Sequence, residues 1–247
     1  MMDTGRILDK LDALLNKNDY AGAERHILYW LEEAKTLNHK NAMLLLQNEL
    51  CGLYRKLGRK ADALSAVEKA LSLVTNMGIE NNVGAATTYI NAGTVLKAFG
   101  KAAEAMPLFE KALKVYEKDL PALDKRFGGL YNNMALALVD LKEFQKALAL
   151  YEKAISVMEN QADGMLEVAI TYLNIASLRE AEMGLENAEK VIGELLFRAA
   201  EILDTYENRN GYYAFVCEKC ASVFGYHGFF AYEKELKERA REIYERN

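Results

Sequence analysis

The sequence predicts an all-α protein built from about six helix-turn-helix repeats, and three observations predict it. Alanines recur every 42 residues at two positions, at 63, 105 and 147 and again at 70, 112 and 154. Larger side chains follow the same period at Val67, Phe109 and Tyr151. The chain has only 2 prolines and 16 glycines in 247 residues, which favours helix. Small residues suit close helix contacts and large residues fill gaps, so the period predicts stacked helix pairs.

The repeats are predicted at residues 5–40, 41–81, 82–124, 125–164, 165–206 and 210–247, forming one continuous domain over 1–247. The first repeat is degenerate. Apolar residues at helical spacing over 7–15 predict its first helix, and Asn18-Asp19 predicts the turn. Trp30 stands where the second helix usually has alanine. It either fills space left by the lack of an upstream repeat or contacts a partner.

The next three repeats are the most regular. Their turns place Gly58, Gly100 and Lys142 at intervals of 42 residues, and Pro121 marks the connection between the third and fourth repeats. The stretch from Tyr131 to Ile155, within the fourth repeat, is predicted to form two helices joined by a tight turn. These turns predict helices of similar length in all three repeats.

The last two repeats depart from this spacing. In the fifth repeat, Asn174 follows Asn133 by 41 residues, but the second helix matches only at a shift of 46, which aligns Phe197 with Tyr151 and Ala200 with Ala154. Extra residues near 180–189 predict a longer loop or extended helices, through a neutral or a functional insertion. The final helix pairs an apolar stripe with a charged face, which suits the end of an array.

The strings YNNMA at 131–135 and LYEKAI at 150–155 carry a family resemblance. Their order of aromatic, small and large residues resembles the tetratricopeptide repeat, in the long form found in kinesin light chains. The usual period is about 34 residues, so the period here implies helices longer by roughly one turn each. The resemblance implies a right-handed α-α superhelix whose first helices line a concave groove.

Composition limits the location and the partners. A net charge of −5 argues against a nucleic-acid-binding surface. No apolar run approaches eighteen residues and no signal peptide is recognised, so neither secretion nor membrane association is expected. Three cysteines, an odd number, indicate reduced thiols. We therefore expect a cytoplasmic protein.

Residue types that often act in catalysis form no recognisable active-site motif in this sequence. His26 is predicted on a second helix, His39 in a connection and His227 in a turn, and the chain has no nucleophile motif, P-loop or GxGxxG string. Cys217 and Cys220 form a CxxC string, which packing explains better than zinc because both fall on packing positions and no second CxxC occurs. We predict no enzyme activity, no catalytic residue, no cofactor and no metal site.

Asparagines recur on the first helices, where they are mediocre helix formers. Asn91, Asn133 and Asn174 share one position, and Asn48 and Asn132 share a neighbouring one. Their amides either bind the backbone of an extended peptide, as in related arrays, or bond neighbouring repeats and set the stacking. The predicted peptide-binding residues are Asn48, Arg55, Asn91, Thr94, Lys97, Asn132, Asn133, Asn174 and Ser177.

The charges of this groove narrow the ligand class. Arg55 and Lys97 favour an acidic segment or a C-terminal carboxylate. The lysine clamp of chaperone-binding tetratricopeptide domains is not reproduced, because Gly129 and Phe215 stand at its positions. A receptor for chaperone tails is therefore not expected.

The predicted function is a non-enzymatic scaffold or adaptor that binds a peptide or protein segment in its concave groove. One alternative is a peptide-sensing module acting with a separate output domain, as in regulators of Gram-positive bacteria. Another is a structural protein that self-assembles, so a homo-oligomer stays possible. The partners expected are proteins or peptides, with no nucleic acid and no membrane.

Overall fold

The computed structural model describes residues 2–246, and within this range every regular element is an α-helix. The predicted all-α fold is therefore confirmed. The helices follow one another in pairs: α1 Thr4–Asn16, α2 Tyr20–Thr36, α3 Lys40–Lys56, α4 Lys60–Met77, α5 Val83–Ala98, α6 Ala102–Asp119, α7 Lys125–Asp140, α8 Phe144–Met158, α9 Met165–Met183, α10 Leu185–Thr205, α11 Gly211–Tyr226 and α12 Phe230–Arg246.

The chain divides after Leu120 into two compact units. The first unit holds α1 to α6 and the second holds α7 to α12. Within each unit, the two helices of a pair pack along each other, and α3 and α5, like α9 and α11, pack side by side. The single continuous domain over 1–247 stays a prediction.

Each of the six pairs turns through one residue with a positive φ angle, which reverses the chain tightly. Glycine supplies this residue in four pairs, where no Cβ opposes the left-handed conformation. The turn residues are Asn18, Gly58, Gly100, Lys142, Gly184 and Gly228. The recurrence of Gly58, Gly100 and Lys142 in the sequence therefore marks one backbone conformation.

The periodic residues form the cores of the helix pairs. All six alanines of the 42-residue period are fully buried, and so are Phe109 and Tyr151. Gly93 on α5 faces Phe109 on α6, and a Cβ atom added to Gly93 would lie 2.6 Å from the phenyl ring. Close helix approach through small residues, with one large side chain filling the gap, is thus the packing rule of these repeats.

The fifth pair decides how the insertion is accommodated, and it corrects the alignment of its second helix. The extra residues extend the helices, to 19 residues in α9 and 21 in α10, and Gly184 alone joins them. The alignment of Phe197 with Tyr151 is wrong, because Phe197 is 64% exposed. Leu196 and Ala199 occupy the buried face instead. The alignment matched aromatic residues, whereas burial on the helix follows a shift of 45.

Tyr151 provides a stability prediction, because its buried hydroxyl has no hydrogen-bond partner among the described residues. Burial raises the pKa of this phenol. Tyr151→Phe should leave the free energy of unfolding unchanged or raise it by about 1 kcal/mol, since an unsatisfied buried polar group is costly.

The matched control is Tyr213→Phe. Tyr213 is equally buried but donates to Leu203 O at 2.9 Å, so its loss should cost about 1 kcal/mol. Urea unfolding of both variants checks the pair, and a destabilised Tyr151→Phe would contradict it.

Candidate functional site

Two predicted site residues of the first unit, Asn48 and Asn91, belong to a chain of hydrogen bonds between helices rather than to one open surface. Asn91 on α5 donates its amide N–H to Asn48 Oδ1 on α3, at 3.1 Å. Asn48 in turn donates to Thr88 Oγ1 at 3.0 Å, and the Thr88 hydroxyl donates to Gly84 O. The chain of bonds therefore joins the first helices of the second and third repeats.

The second unit repeats this arrangement between α7 and α9. Asn174 donates to Asn132 Oδ1 at 3.3 Å, and Asn132 donates to Thr171 Oγ1 at 2.9 Å. The Thr171 hydroxyl donates to Glu167 O at 2.7 Å. We call each such set of bonds an Asn–Thr circuit. The strings TYIN at 88–91 and TYLN at 171–174 carry the Thr and the second Asn of the two circuits. Because the two strings lie two repeats apart, comparing the sequence with itself at that spacing would have revealed the circuits.

These circuits bear on the two interpretations of the asparagines. Asn48, Asn91, Asn132 and Asn174 all bond a neighbouring repeat, as the stacking interpretation requires. Asn132 is also buried, which keeps its amide from solvent. Asn133 differs, since it donates to Gly129 O of its own helix at 2.9 Å. A ligand contact by the asparagines stays a prediction, and Asn133 is the best placed for it.

The other predicted site residues lie on α3, α5 and α9. Thr94 donates to Ile90 O at 2.8 Å and Ser177 donates to Leu173 O at 3.2 Å, each within its own helix. Arg55 is exposed on α3 and Lys97 is half-buried on α5. Their use by a ligand stays a prediction.

A cleft of about 710 Å³ in the second unit lies where α7, α9 and α11 begin. Gly129 is exposed on α7, and a Cβ added there would meet no atom within 4 Å. The residues that line the cleft are Lys125, Arg126, Gly129, Met158, Gln161, Ala162, Asp163, Gly164, Glu167, Tyr206, Asn210 and Tyr212. We call it the α7–α11 cleft. Sequence reasoning assigned none of these residues to the binding set.

Polar contacts hold Arg126 and Glu167 in this cleft. Arg126 forms two bonds of 2.7 Å with Asp124, and this pairing lowers the pKa of the Asp124 carboxyl to about 2. The Tyr212 hydroxyl donates to Glu167, and burial together with this bond raises the pKa of Tyr212. The cleft thus presents ordered side chains of both charges.

Tyr212 of the cleft lining contacts a second aromatic side chain on α11, Phe215. The rings of Tyr212 and Phe215 stack with centroids 6.2 Å apart, and 40% and 50% of these residues are exposed. Exposed rigid aromatics are common anchors in protein interfaces. The repeat register of the sequence predicts Phe215 in the groove, at a position where the chaperone-binding clamp has lysine.

Two of the three histidines hydrogen-bond to the backbone. His26 Nε2 lies 2.9 Å from Ile7 O, and His39 Nδ1 accepts from Ala42 N at the start of α3. His227 lies in the turn between α11 and α12. Within residues 2–246, no group of three or more His, Cys, Asp or Glu side chains has an arrangement that would hold a metal ion.

The thiols of Cys51, Cys217 and Cys220 are buried. Burial raises the pKa of Cys51 and of Cys220 to about 12, and it also raises the pKa of Cys217. The thiolate is the reactive form, so all three should react with a thiol reagent at pH 8 at least ~100-fold more slowly in the native protein than in denaturant. Ellman's reagent measures both rates. Rapid native labelling of Cys217 and Cys220, or about one zinc per chain, would contradict their packing role.

None of the helices over residues 2–246 combines the length and apolarity that crossing a membrane requires.

Residues 42–118 and 129–160 match family models described as tetratricopeptide repeat, which confirms the predicted resemblance. No curated protein sequence matches the chain.

Solved structures share its fold at low identity. BtubC (BKLC) from P. vanneervenii is 20% identical, with 83% of this chain and 82% of that chain covered and a TM-score of 0.69. A putative kinesin light chain from Podosopora anserina with nearly identical TPR-like repeats is 16% identical, with 81% and 94% covered and a TM-score of 0.54. A Rap protein complexed with Competence and Sporulation Factor is 10% identical, with 96% and 73% covered and a TM-score of 0.58.

Proposed function

The chain is a tetratricopeptide repeat protein, and from this premise we propose that it is a non-enzymatic scaffold that binds a peptide or an extended segment of another protein. Proteins of this family are generally non-catalytic and serve protein–protein interaction. The observation that carries the proposal is the α7–α11 cleft, which is lined both by the bare surface of Gly129 and by the exposed side chain of Tyr212.

The chemistry of the cleft supports a peptide ligand. Tyr212 and Phe215 offer apolar anchors, and Gly129 leaves room for a backbone to approach α7. Asn133, one turn beyond Gly129, has an amide that can exchange its bond within the helix for one to a peptide group. A segment that combines an apolar anchor with backbone hydrogen bonds suits this surface.

A peptide-library screen tests the proposal against the wild type and three single variants. Gly129→Leu fills the cleft, Phe215→Ala removes an anchor and Asn133→Ala removes the amide. Each variant changes an exposed or half-buried position, so the helix content should persist. We expect selected peptides to lose at least ~tenfold in affinity with Gly129→Leu and Phe215→Ala.

Single variants are needed because Asn91 and Asn174 belong to the Asn–Thr circuits, and replacing them would change repeat stacking as well as any ligand contact. Recovery of no peptide by the wild type, or equal binding by all variants, would overturn the α7–α11 cleft as the ligand site.

A sensor is the second candidate, with a separate output domain and the same ligand class. The Rap protein that shares this fold is complexed with Competence and Sporulation Factor, and that likeness concerns the fold alone. Small-angle scattering with and without a selected peptide distinguishes the two functions. A changed profile supports the sensor and an unchanged one the scaffold. A rise of mass with protein concentration in the absence of peptide would instead support self-assembly.

A further inference from the structure

The two ends of α10 meet the last helix pair differently. The C-terminal end of α10 is joined to that pair, since Tyr213 donates to Leu203 O at 2.9 Å and Arg239 pairs with Asp204 at 2.8 Å. Its N-terminal half instead borders a cleft of about 650 Å³ that separates it from the turn between α11 and α12. We call this the α10 cleft.

The walls of the α10 cleft are largely apolar. Leu185, Ile192 and Leu196 line it from α10, and Phe229 lines it from the opposite turn. Ile192 and Leu196 form a buried floor, whereas Leu185 is 53% exposed and Phe229 is 48% exposed. Apolar side chains that are half open to solvent around a concave surface gain free energy when a ligand covers them.

The charge of the cleft has one sign. Glu186 and Glu189 are the acidic side chains of its lining, and both are exposed. No lysine or arginine is among the described residues that line it. A bound segment therefore gains by carrying basic side chains toward α10.

A buried ring nitrogen of His227, in the wall of the α10 cleft, lacks a hydrogen-bond partner. The His227 side chain is only 4% exposed, and no group within residues 2–246 hydrogen-bonds to its Nε2. Glu180 Oε2 lies 4.0 Å away, and the other Glu180 oxygen accepts from Tyr226 at 2.6 Å. Buried polar groups are nearly always paired, so this imidazole points to a partner supplied by a ligand or its water.

Gly193 is a fourth feature that favours a ligand in the α10 cleft. It lies inside α10 and lines the cleft, and a Cβ added there would meet no atom within 4 Å. Glycine within a helix is destabilising relative to alanine, and nothing in the described chain packs against this one. Its absent side chain leaves the surface of α10 open to close approach by another helix.

We propose that the α10 cleft is a second binding site, which takes a basic amphipathic helix of a partner protein. Apolar residues of that helix enter between Leu196 and Phe229, and its lysines or arginines meet Glu186 and Glu189. The helix crosses α10 at Gly193. This site is separate from the α7–α11 cleft and does not depend on the function proposed for it.

Two synthetic helical peptides of about 18 residues test the proposal. Both carry leucines at the same helical spacing, and one has a lysine polar face whereas the other has a glutamate polar face. Fluorescence anisotropy should show binding of the lysine peptide alone, weakened by added salt. The double variant Glu186→Lys/Glu189→Lys should lower its affinity at least ~tenfold, because it reverses both charges.

Gly193→Leu provides a steric test that should not unfold the protein, since leucine is a better helix former than glycine. We expect at least ~tenfold weaker binding for Gly193→Leu and little change for the control Gly193→Ala. Gly129→Leu should bind the lysine peptide like the wild type, so failure at the α7–α11 cleft and failure here give different results.

Several outcomes would overturn the proposal: no binding of the lysine peptide at about 1 mM, equal binding of both peptides, or binding unchanged by the charge reversal and by Gly193→Leu. Self-association that these same variants abolish would also overturn it, since a second copy of this chain would then be the occupant.

Discussion

Phe109→Ala should lower the free energy of unfolding by about 3–5 kcal/mol, because the phenyl ring is fully buried against α5 and its loss leaves a cavity. Gly93 lies directly under this ring and has no side chain that could fill the space. Urea denaturation followed by circular dichroism measures the change.

Phe197→Ala is the matched control, because it removes the same atoms from a residue that the sequence alignment placed on the same periodic position. Phe197 is 64% exposed, so the change should stay within about 0.5 kcal/mol. Comparable losses in the two variants would show that the burial assigned to α10 is wrong and that the shift of 46 is right.

Asn132→Ala should destabilise the protein by about 2 kcal/mol, the second large effect expected. The substitution removes the central member of an Asn–Thr circuit and leaves the buried Thr171 hydroxyl and the Asn174 amide without their Asn132 partner. Asn133→Ala, at the next position, breaks only a bond within its own helix and should change stability by less than about 0.5 kcal/mol.

A double-mutant cycle with Thr171→Ala sharpens this test. Asn132 and Thr171 lie in direct contact, so we expect a coupling energy of roughly 0.5–3 kcal/mol. A neutral Asn132→Ala with a destabilising Asn133→Ala would reverse the roles assigned to the two residues. The equivalent pair Asn48 and Thr88 should behave like Asn132 and Thr171, since the same bonds recur there.

The repeat pattern predicted the fold because packing between paired helices repeats its demands at a constant interval. Where two helices touch, the residue must be small, as at Ala63, Ala105 and Ala147. Where a gap between the two helices must be filled, the residue must be large, as at Phe109 and Tyr151. That regularity is visible without coordinates. It failed at Phe197, where an insertion removed the constant interval and residue type was a poor guide to burial.

The candidate sites needed the tertiary structure. A sequence shows that asparagines recur, but hydrogen bonds across repeats distinguish Asn132, which is held by a neighbouring helix, from Asn133, which is bonded only within its own. The α10 cleft is likewise invisible in the sequence, because α10 and the turn between α11 and α12, which line it, are far apart along the chain. The sequence by itself determined the helices, their pairing and their small and large packing positions, since these depend on local periodicity. Only the tertiary structure decided which polar and aromatic side chains stay open to a ligand, because exposure depends on contacts between residues some 40 positions apart.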